Sequence, residues 1–467
     1  MFDIDKFMKA HRACLIAPAG YGKTHTIIEC LKHSTSRQLV LTHTHAGVAA
    51  LKTKMSAANI PASRYELSTI SAIAQRLSLS FTSPDRVSNG GARNTYFFSW
   101  TLSRAKALLG CDFLKRVFAS SYGGIIVDEY QDCSVAQHEL IISMAEQLPL
   151  HVLGDPMQGI FGFAGQSIVD FEKHLAGFDQ YKLDIPYRWK DTNPELGKEI
   201  AWLRDDLLSG IDIDFTKFNV IQYEKVAVNC YQHRLLELCY KFQNRGTTVV
   251  IVSDSMNRAT RMAVARLFGG RCSIVEAIDD KEFYEQASLV DRLSMNNSAA
   301  TLYCIAIKLF FKTGVEEWLG IKGVKKKRRA DAKNVSKYLE EAVMKLKTSP
   351  SPASFGSCLS LMYSLPNITL LNHEKYYSLQ SAIRMSEKEG ISVAQAMVKE
   401  RDIIRGVGRR IKGFSVGTTL LTKGLEFDNV VVLETGRKFN LCDAIDRRHF
   451  YVAISRASKN VCVLSVQ

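Results

Sequence analysis

One turn, set between a short apolar run and a helical pattern, constrains this chain more than any other feature. Cys14-Leu15-Ile16 leads into Ala17-Pro18-Ala19-Gly20-Tyr21-Gly22-Lys23-Thr24, and a helix-type segment follows. Strand, glycine loop and helix in that order form the arrangement in which backbone N–H groups and a helix N-terminus cradle phosphate. Ala19, Gly20, Tyr21 and Gly22 then line the loop, Lys23 reaches the β- and γ-phosphates, and the Thr24 hydroxyl holds Mg²⁺. A second motif, Ile125-Ile126-Val127-Asp128-Glu129-Tyr130-Gln131-Asp132, ends a buried-type strand with two adjacent acids. Asp128 suits the metal, and Glu129 suits polarising an attacking water. The two motifs in this order point to nucleotide hydrolysis, with Mg²⁺ as an expected cofactor.

At 467 residues the chain has room for two to four domains, and a hydrophobic fraction of 46% suits a folded globular protein. A formal net charge of +14 favours a polyanionic partner such as nucleic acid, although an ordinary basic surface gives the same figure. The 11 cysteines are irregularly spaced and include no C-x-x-C pair, which argues against zinc, iron–sulfur and secreted disulfide frameworks. Reduced thiols in a cytoplasmic protein are the expectation. Asp3 and Asp5 stand where a signal peptide needs positive charge, and no apolar run reaches transmembrane length, so no membrane partner is expected.

The first 190 or so residues alternate strand-type and helix-type runs, the pattern of an α/β fold with a parallel sheet flanked by helices. Strands are expected at Ala13–Ile16, Leu39–Thr42, Ile125–Asp128 and Val152–Gly154, with helices starting near Thr24, Ala46, Ile70 and Ala136. Ser80 to Tyr122 reads as a small helical insertion. A second alternation follows Tyr187-Arg188-Trp189, with strands expected at Thr248–Ser253, Cys272–Val275, Ser415–Leu421, Val430–Glu434 and Asn460–Ser465. A helical stretch from Ala300 to Gly413 interrupts it and carries the basic run Lys325-Lys326-Lys327-Arg328-Arg329. That run is either a solvated face or a nucleic-acid contact.

Further motifs complete a set. Leu153-Gly154-Asp155-Pro156-Met157-Gln158-Gly159-Ile160-Phe161-Gly162-Phe163 is followed by Pro186-Tyr187-Arg188. Near the end stand Thr419-Leu420-Leu421-Thr422-Lys423-Gly424-Leu425-Glu426-Phe427 and Arg447-Arg448-His449-Phe450-Tyr451-Val452-Ala453-Ile454-Ser455-Arg456-Ala457. From Ala17 to Ala457 the set resembles the superfamily 1 helicases of the UvrD/Rep type. The resemblance implies two RecA-like P-loop NTPase domains with helical insertions, hydrolysing ATP between them. Residues 1–190 would form the first domain, 191–299 and 414–467 the second, and 300–413 a reduced arm.

By the same resemblance Gln158 senses the γ-phosphate, Tyr187 stacks on the base, and Arg188 contacts the γ-phosphate. Gly424 and Glu426 lie near the ribose, and Arg456, from the second domain, stabilises charge on the transferring phosphoryl group. Arginine suits the last role because it stays charged and binds in a fork. Tyr187 also fits simple packing. Single-stranded DNA is the implied partner: Phe161 and Phe163 match base-stacking aromatics, though two phenylalanines beyond a strand fit a core equally well. Thr42, Thr44 and Thr69 match positions facing the DNA backbone.

Several positions depart from the family pattern. No glutamine precedes the phosphate loop to read adenine, and His25 stands where relatives often carry arginine beside the base. His43, His45 and Ala46 replace the usual Phe, Asn and Lys, with His43 still able to stack; Ala164 replaces an arginine and Leu420 a histidine. The chain finishes soon after Arg456, so a fused nuclease domain is not expected. The reading is a compact ATP-dependent single-stranded DNA translocase or helicase moving 3′ to 5′. The alternative is an ATP-driven regulatory or sensor subunit of a separate nuclease, of the kind found in bacterial anti-phage modules.

Overall fold

A computed structural model describes residues 2–82, 95–162, 167–242, 246–253, 257–277, 280–327, 330–407, 411 and 413–467. Phe163, Ala164, Arg328 and Arg329 lie outside the described residues. The chain forms two compact units: Met1–Ile221 with Gly406–Gly408 and Phe439–Asn460, and Gln222–Arg405 with Arg409–Lys438 and Val461–Gln467.

The first unit is built on a six-stranded sheet of β1 (Arg12–Ile16), β2 (Gln38–Thr42), β3 (Tyr65–Thr69), β4 (Gly124–Val127), β5 (Leu150–Gly154) and β6 (Asp179–Lys182). The order is β3-β2-β4-β5-β1-β6, and every pairing is parallel. Every residue of β2, β4 and β5 is buried, as continuous apolar runs covered by helices on both faces should be. Helices start where the sequence supplies caps. Thr44 caps His45–Ala57, Thr69 caps Ile70–Ser80, and Ser134 with Gln137 forms a capping box before Val135–Met144.

The segment read as a small insertion contains helices Thr95–Leu108 and Asp112–Ser121. Their Ala105, Leu114 and Phe118, with Leu109 just past the first of them, join the same core as Ile125 and Val127 of β4. They therefore serve as a cover of this sheet.

In the second unit, β7 (Ile221–Val226), β8 (Thr248–Val252), β9 (Cys272–Ile274), β12 (Phe414–Thr418), β13 (Phe427–Glu434) and β14 (Ala457–Val466) form a sheet in the order β7-β14-β13-β8-β12-β9. Strands β8, β9, β12 and β13 pair in parallel. A two-stranded antiparallel hairpin, β10 (Leu319–Gly320) and β11 (Gly323–Val324), sits within the helical stretch. The stretch expected to be helical contains Ser298–Leu309, Lys312–Trp318, Ala330–Thr348, Pro352–Tyr363, His373–Glu389 and Val393–Val407. Its core already begins at the helix Lys281–Asp291, through Phe283, Ala287 and Val290. Lys375, fully buried, is matched by Glu276 at 3.5 Å, Asp280 at 3.0 Å and Glu282. A buried ammonium needs such partners to stay charged.

The architecture is thus α/β, with two parallel-stranded sheets flanked by helices. Among the described residues no helix is long and apolar enough to cross a membrane.

Candidate nucleotide site

Parallel strands bring their C-terminal ends to one edge of a sheet, where ligands of open α/β sheets bind. In the first unit that edge gathers the turn after β1, the acids after β4 and the segment after β5. Because β5 lies between β1 and β4, the segment Asp155–Gln158 lies between the loop and the acids in sheet order.

The loop is pinned by Ala17 N donating to Gly154 O at 2.9 Å and Tyr21 N donating to Pro18 O at 3.1 Å. Gly20 and Gly22 have φ of 78° and 89°, in the left-handed region that a side chain resists. Space imposes the same choice. A Cβ on Gly20 would sit 2.7 Å from Arg188 Cβ, and one on Gly22 would sit 3.1 Å from the Tyr187 ring. The helix Lys23–His33 starts at once, with Thr24 half-buried in its first turn and His25 exposed.

Lys23 Nζ lies 3.2 Å from Asp128 Oδ1 and 2.5 Å from Glu129 Oε1. Burial, the largest influence, works against the ammonium, yet the two carboxylates hold its pKa above the usual lysine range. Burial likewise pushes the Asp128 carboxyl upward, and Lys23 only partly offsets it. Glu129 has φ of 55°, one of three non-glycine residues with positive φ among those described. Such a backbone costs about 1–3 kcal/mol and persists only where the surroundings enforce it.

From Glu129 a line of hydrogen bonds runs along the strand ends. Gln131 Nε2 donates to Glu129 Oε2 at 2.5 Å, and Asp155 N donates to Gln131 Oε1 at 3.1 Å. Gln158 Nε2 donates to Asp155 Oδ2, and Arg456 Nη2 donates to Gln158 Oε1, each at 3.1 Å. Arg456 also donates to Val452 O at 3.0 Å and Ser455 Oγ at 2.9 Å. Arg188 Nη1 donates to Ser455 O at 2.5 Å, and Trp189 Nε1 donates to Ala457 O at 2.8 Å.

The sequence motifs converge in the first unit: Ala19–Thr24, Asp128, Glu129, Gln158, Tyr187, Arg188 and Arg456 all belong to it. Arg456 was expected from the second domain. Although β14 pairs in the second sheet, the helix Ala444–Ile454 and the start of that strand pack with the first unit. Gly424, with φ of 79°, and Glu426 are exposed residues of the second unit.

The residues expected to touch DNA spread along the same strand ends. Thr42 is buried at the end of β2. Thr44 and Thr69 already accept hydrogen bonds from Gly47 N and Ala72 N, each at 3.0 Å. His43, Thr44 and Phe161 line one cavity of about 350 Å³ with Asp132, Ser134 and Gln137. Phe161 is 38% exposed.

Among the described residues no group of three or more His, Cys, Asp or Glu side chains could hold a metal. One hydroxyl and one carboxylate, Thr24 and Asp128, nonetheless fit Mg²⁺, which relies on phosphate oxygens and water for its remaining ligands. An Asp128 carboxyl pushed upward by burial is the kind of group a cation would stabilise.

Residues 3–164, about a third of the chain, match the AAA domain family, a span that includes the loop, the acid pair and Gln158. No curated protein matches the chain. Among solved structures the chain is similar to the arterivirus nonstructural protein 10 helicase in complex with DNA, at 10% identity and a TM-score of 0.37. That match covers 98% of this chain and 63% of the viral one, so the chain spans under two thirds of that protein's length.

Asp155, Arg204 and Gln131 were not singled out by sequence reasoning. Asp155 stands in a motif, but Arg204, inside the helix Pro194–Ser209, carries no local signal. Arg204 Nη2 reaches Asp155 Oδ1 at 2.9 Å, with side-chain exposures of 6% and 0%. Removing one partner of so buried a pair strands the other charge, at a cost of about 3–5 kcal/mol. Arg204→Leu should lower the midpoint of the first denaturant transition accordingly. A midpoint shift worth under about 1 kcal/mol, the usual yield of an exposed pair, would show that the pair does not stabilise the fold as its burial implies.

Proposed function

We propose that this protein is a nucleoside-triphosphate hydrolase, acting as an ATP- and Mg²⁺-dependent single-stranded DNA translocase or helicase of compact UvrD/Rep type. The observation that carries the reading is the bonded series Lys23, Glu129, Gln131, Asp155, Gln158 and Arg456 along the strand ends. It joins Lys23, Glu129 and Arg456 in one network, and the roles proposed for them, binding phosphate, polarising water and stabilising charge, are the parts that phosphoryl transfer requires. Mg²⁺ on Thr24 and Asp128 would neutralise charge on the β- and γ-phosphates. Tyr187, exposed beside Gly22, supplies a face for the base. Gly424 and Glu426 would serve the ribose.

We assign residues 1–190 to the first RecA-like domain, 191–299 with 414–467 to the second and 300–413 to a reduced arm. Movement would run 3′ to 5′, in the cytoplasm. His43 and Phe161, facing one cavity in a chain of net charge +14, support a strand of bases as partner. Thr42, Thr44 and Thr69 would flank that strand.

The test is ATP hydrolysis by the purified protein with and without single-stranded DNA, at low and physiological salt, with Lys23→Ala as control. Activity stimulated by DNA and absent from Lys23→Ala supports a motor. Activity equal in wild type and Lys23→Ala would refute it. A second reading, an ATP-driven regulatory subunit of a separate nuclease, is favoured by His43, His45 and Ala46 standing where the resembled helicases carry Phe, Asn and Lys. Hydrolysis indifferent to DNA, with no strand displacement by the protein alone, would select it.

A further inference from the structure

Gln131 has no role in the reading above beyond its place in the network, yet both ends of its amide are held. It lies in the 3₁₀ turn Tyr130–Asp132, 2% exposed. Its amide nitrogen holds one oxygen of Glu129, whose other oxygen faces Lys23. Its amide oxygen holds the backbone N–H of Asp155, the residue that fixes Gln158. The end of β5 is cut to fit this side chain. A Cβ on Gly154 would lie 2.6 Å from Gln131 Oε1, so any larger residue there would displace the amide.

A carboxamide suits both contacts because one end donates and the other accepts. Glutamate would keep the acceptor for Asp155 N but lose the donor and place a second negative charge beside Glu129. Leucine would satisfy neither. Glu129 sits on a left-handed backbone with φ of 55°, so its carboxylate direction depends on what holds it. Lys23 is a temporary holder if it is to serve a phosphate, whereas Gln131 is anchored to the sheet.

We infer that Gln131 is a positioning residue: it aims the Glu129 carboxylate for hydrolysis and ties that aim to the strand end bearing Gln158. This rests on the proposed hydrolase reading. It makes two commitments. Gln131 acts through Glu129, so its loss affects turnover more than nucleotide binding. Its loss also has little further effect once Glu129 has been disabled.

The experiment compares wild type, Lys23→Ala, Gln131→Glu, Gln131→Leu, Glu129→Gln and the double variant Glu129→Gln/Gln131→Leu. Steady-state ATP hydrolysis, equilibrium nucleotide binding and thermal unfolding are measured on each full-length chain. Gln131→Glu retains the Asp155 contact, and so isolates the donor to Glu129 should Gln131→Leu fold poorly. Hydrogen-bond partners that orient metal ligands typically contribute about 10–100-fold, and the same order is expected where Gln131 orients Glu129. Gln131→Glu and Gln131→Leu should therefore lower kcat about 10–100-fold, with nucleotide affinity within about threefold of wild type. The double variant should match Glu129→Gln within about threefold. Wild-type turnover in Gln131→Glu would overturn the inference. So would a loss that multiplies fully on the Glu129→Gln background, or one seen only in nucleotide affinity. If wild type does no better than Lys23→Ala, the hydrolase reading fails and takes the inference with it; if wild type is active and Gln131→Glu equals it, only the inference fails.

Discussion

Arg456→Ala should slow ATP hydrolysis about 10³–10⁵-fold while nucleotide still binds, the loss expected when an arginine that stabilises transferring phosphoryl charge is removed. The side chain is 3% exposed, and its guanidinium is fixed by Gln158, Val452 and Ser455. A group held in advance needs no reorganisation as charge develops, which is why its contribution should be large. Arg456→Lys keeps the charge and loses the fork, so it should recover only part of the rate. Single-turnover hydrolysis with saturating nucleotide is the measurement, with thermal unfolding to confirm that the variant folds. A rate within tenfold of wild type would return Arg456 to a packing role.

Glu129→Gln ranks second. The substitution keeps the length and an acceptor oxygen but removes the negative charge proposed to polarise water. Positioned general bases contribute about 10²–10⁴-fold, so turnover should fall by that amount with nucleotide affinity retained. Removal of a carboxylate 2.5 Å from Lys23 leaves Asp128 as the remaining acid beside that ammonium. Lys23 is then freer for phosphate, and affinity should hold or rise. A variant that loses binding and turnover together would show that Glu129 organises the loop and would count against its role toward water.

What could be read from the chain in advance follows from where each residue stands. The sheet interiors were legible. Leu39–Thr42, Ile125–Asp128 and Val152–Gly154 are apolar because helices cover both faces of β2, β4 and β5. Strands β3, β6 and β7 were missed, and all three lie at sheet edges. Tyr65-Glu66-Leu67-Ser68-Thr69 buries only its last residue, and Asp179–Lys182 buries none, so neither gives the apolar run by which a buried strand is recognised. Within the candidate site, the loop ending at Lys23 and the acid pair Asp128–Glu129 stood out as motifs of fixed residue types at fixed spacing, and the fold brings them into contact. Arg204 did not: an arginine inside an amphipathic helix normally marks a solvated face, and only the fold shows that Asp155 awaits it. Gln131 stood within a motif already quoted, but its partner is a backbone N–H, which no side-chain pattern reports.

The pairing of Lys23 with Asp128 and Glu129 has a consequence for affinity. This lysine carries its own counter-ions, so a phosphate does not meet an unmatched charge; it must displace two carboxylates already in contact. On the proposed reading, nucleotide binding is then an exchange of anions, and its strength is the difference between two attractions of similar kind. Such a site admits a ligand that also offers the displaced acids a cation, and it holds weakly any phosphate that arrives without one.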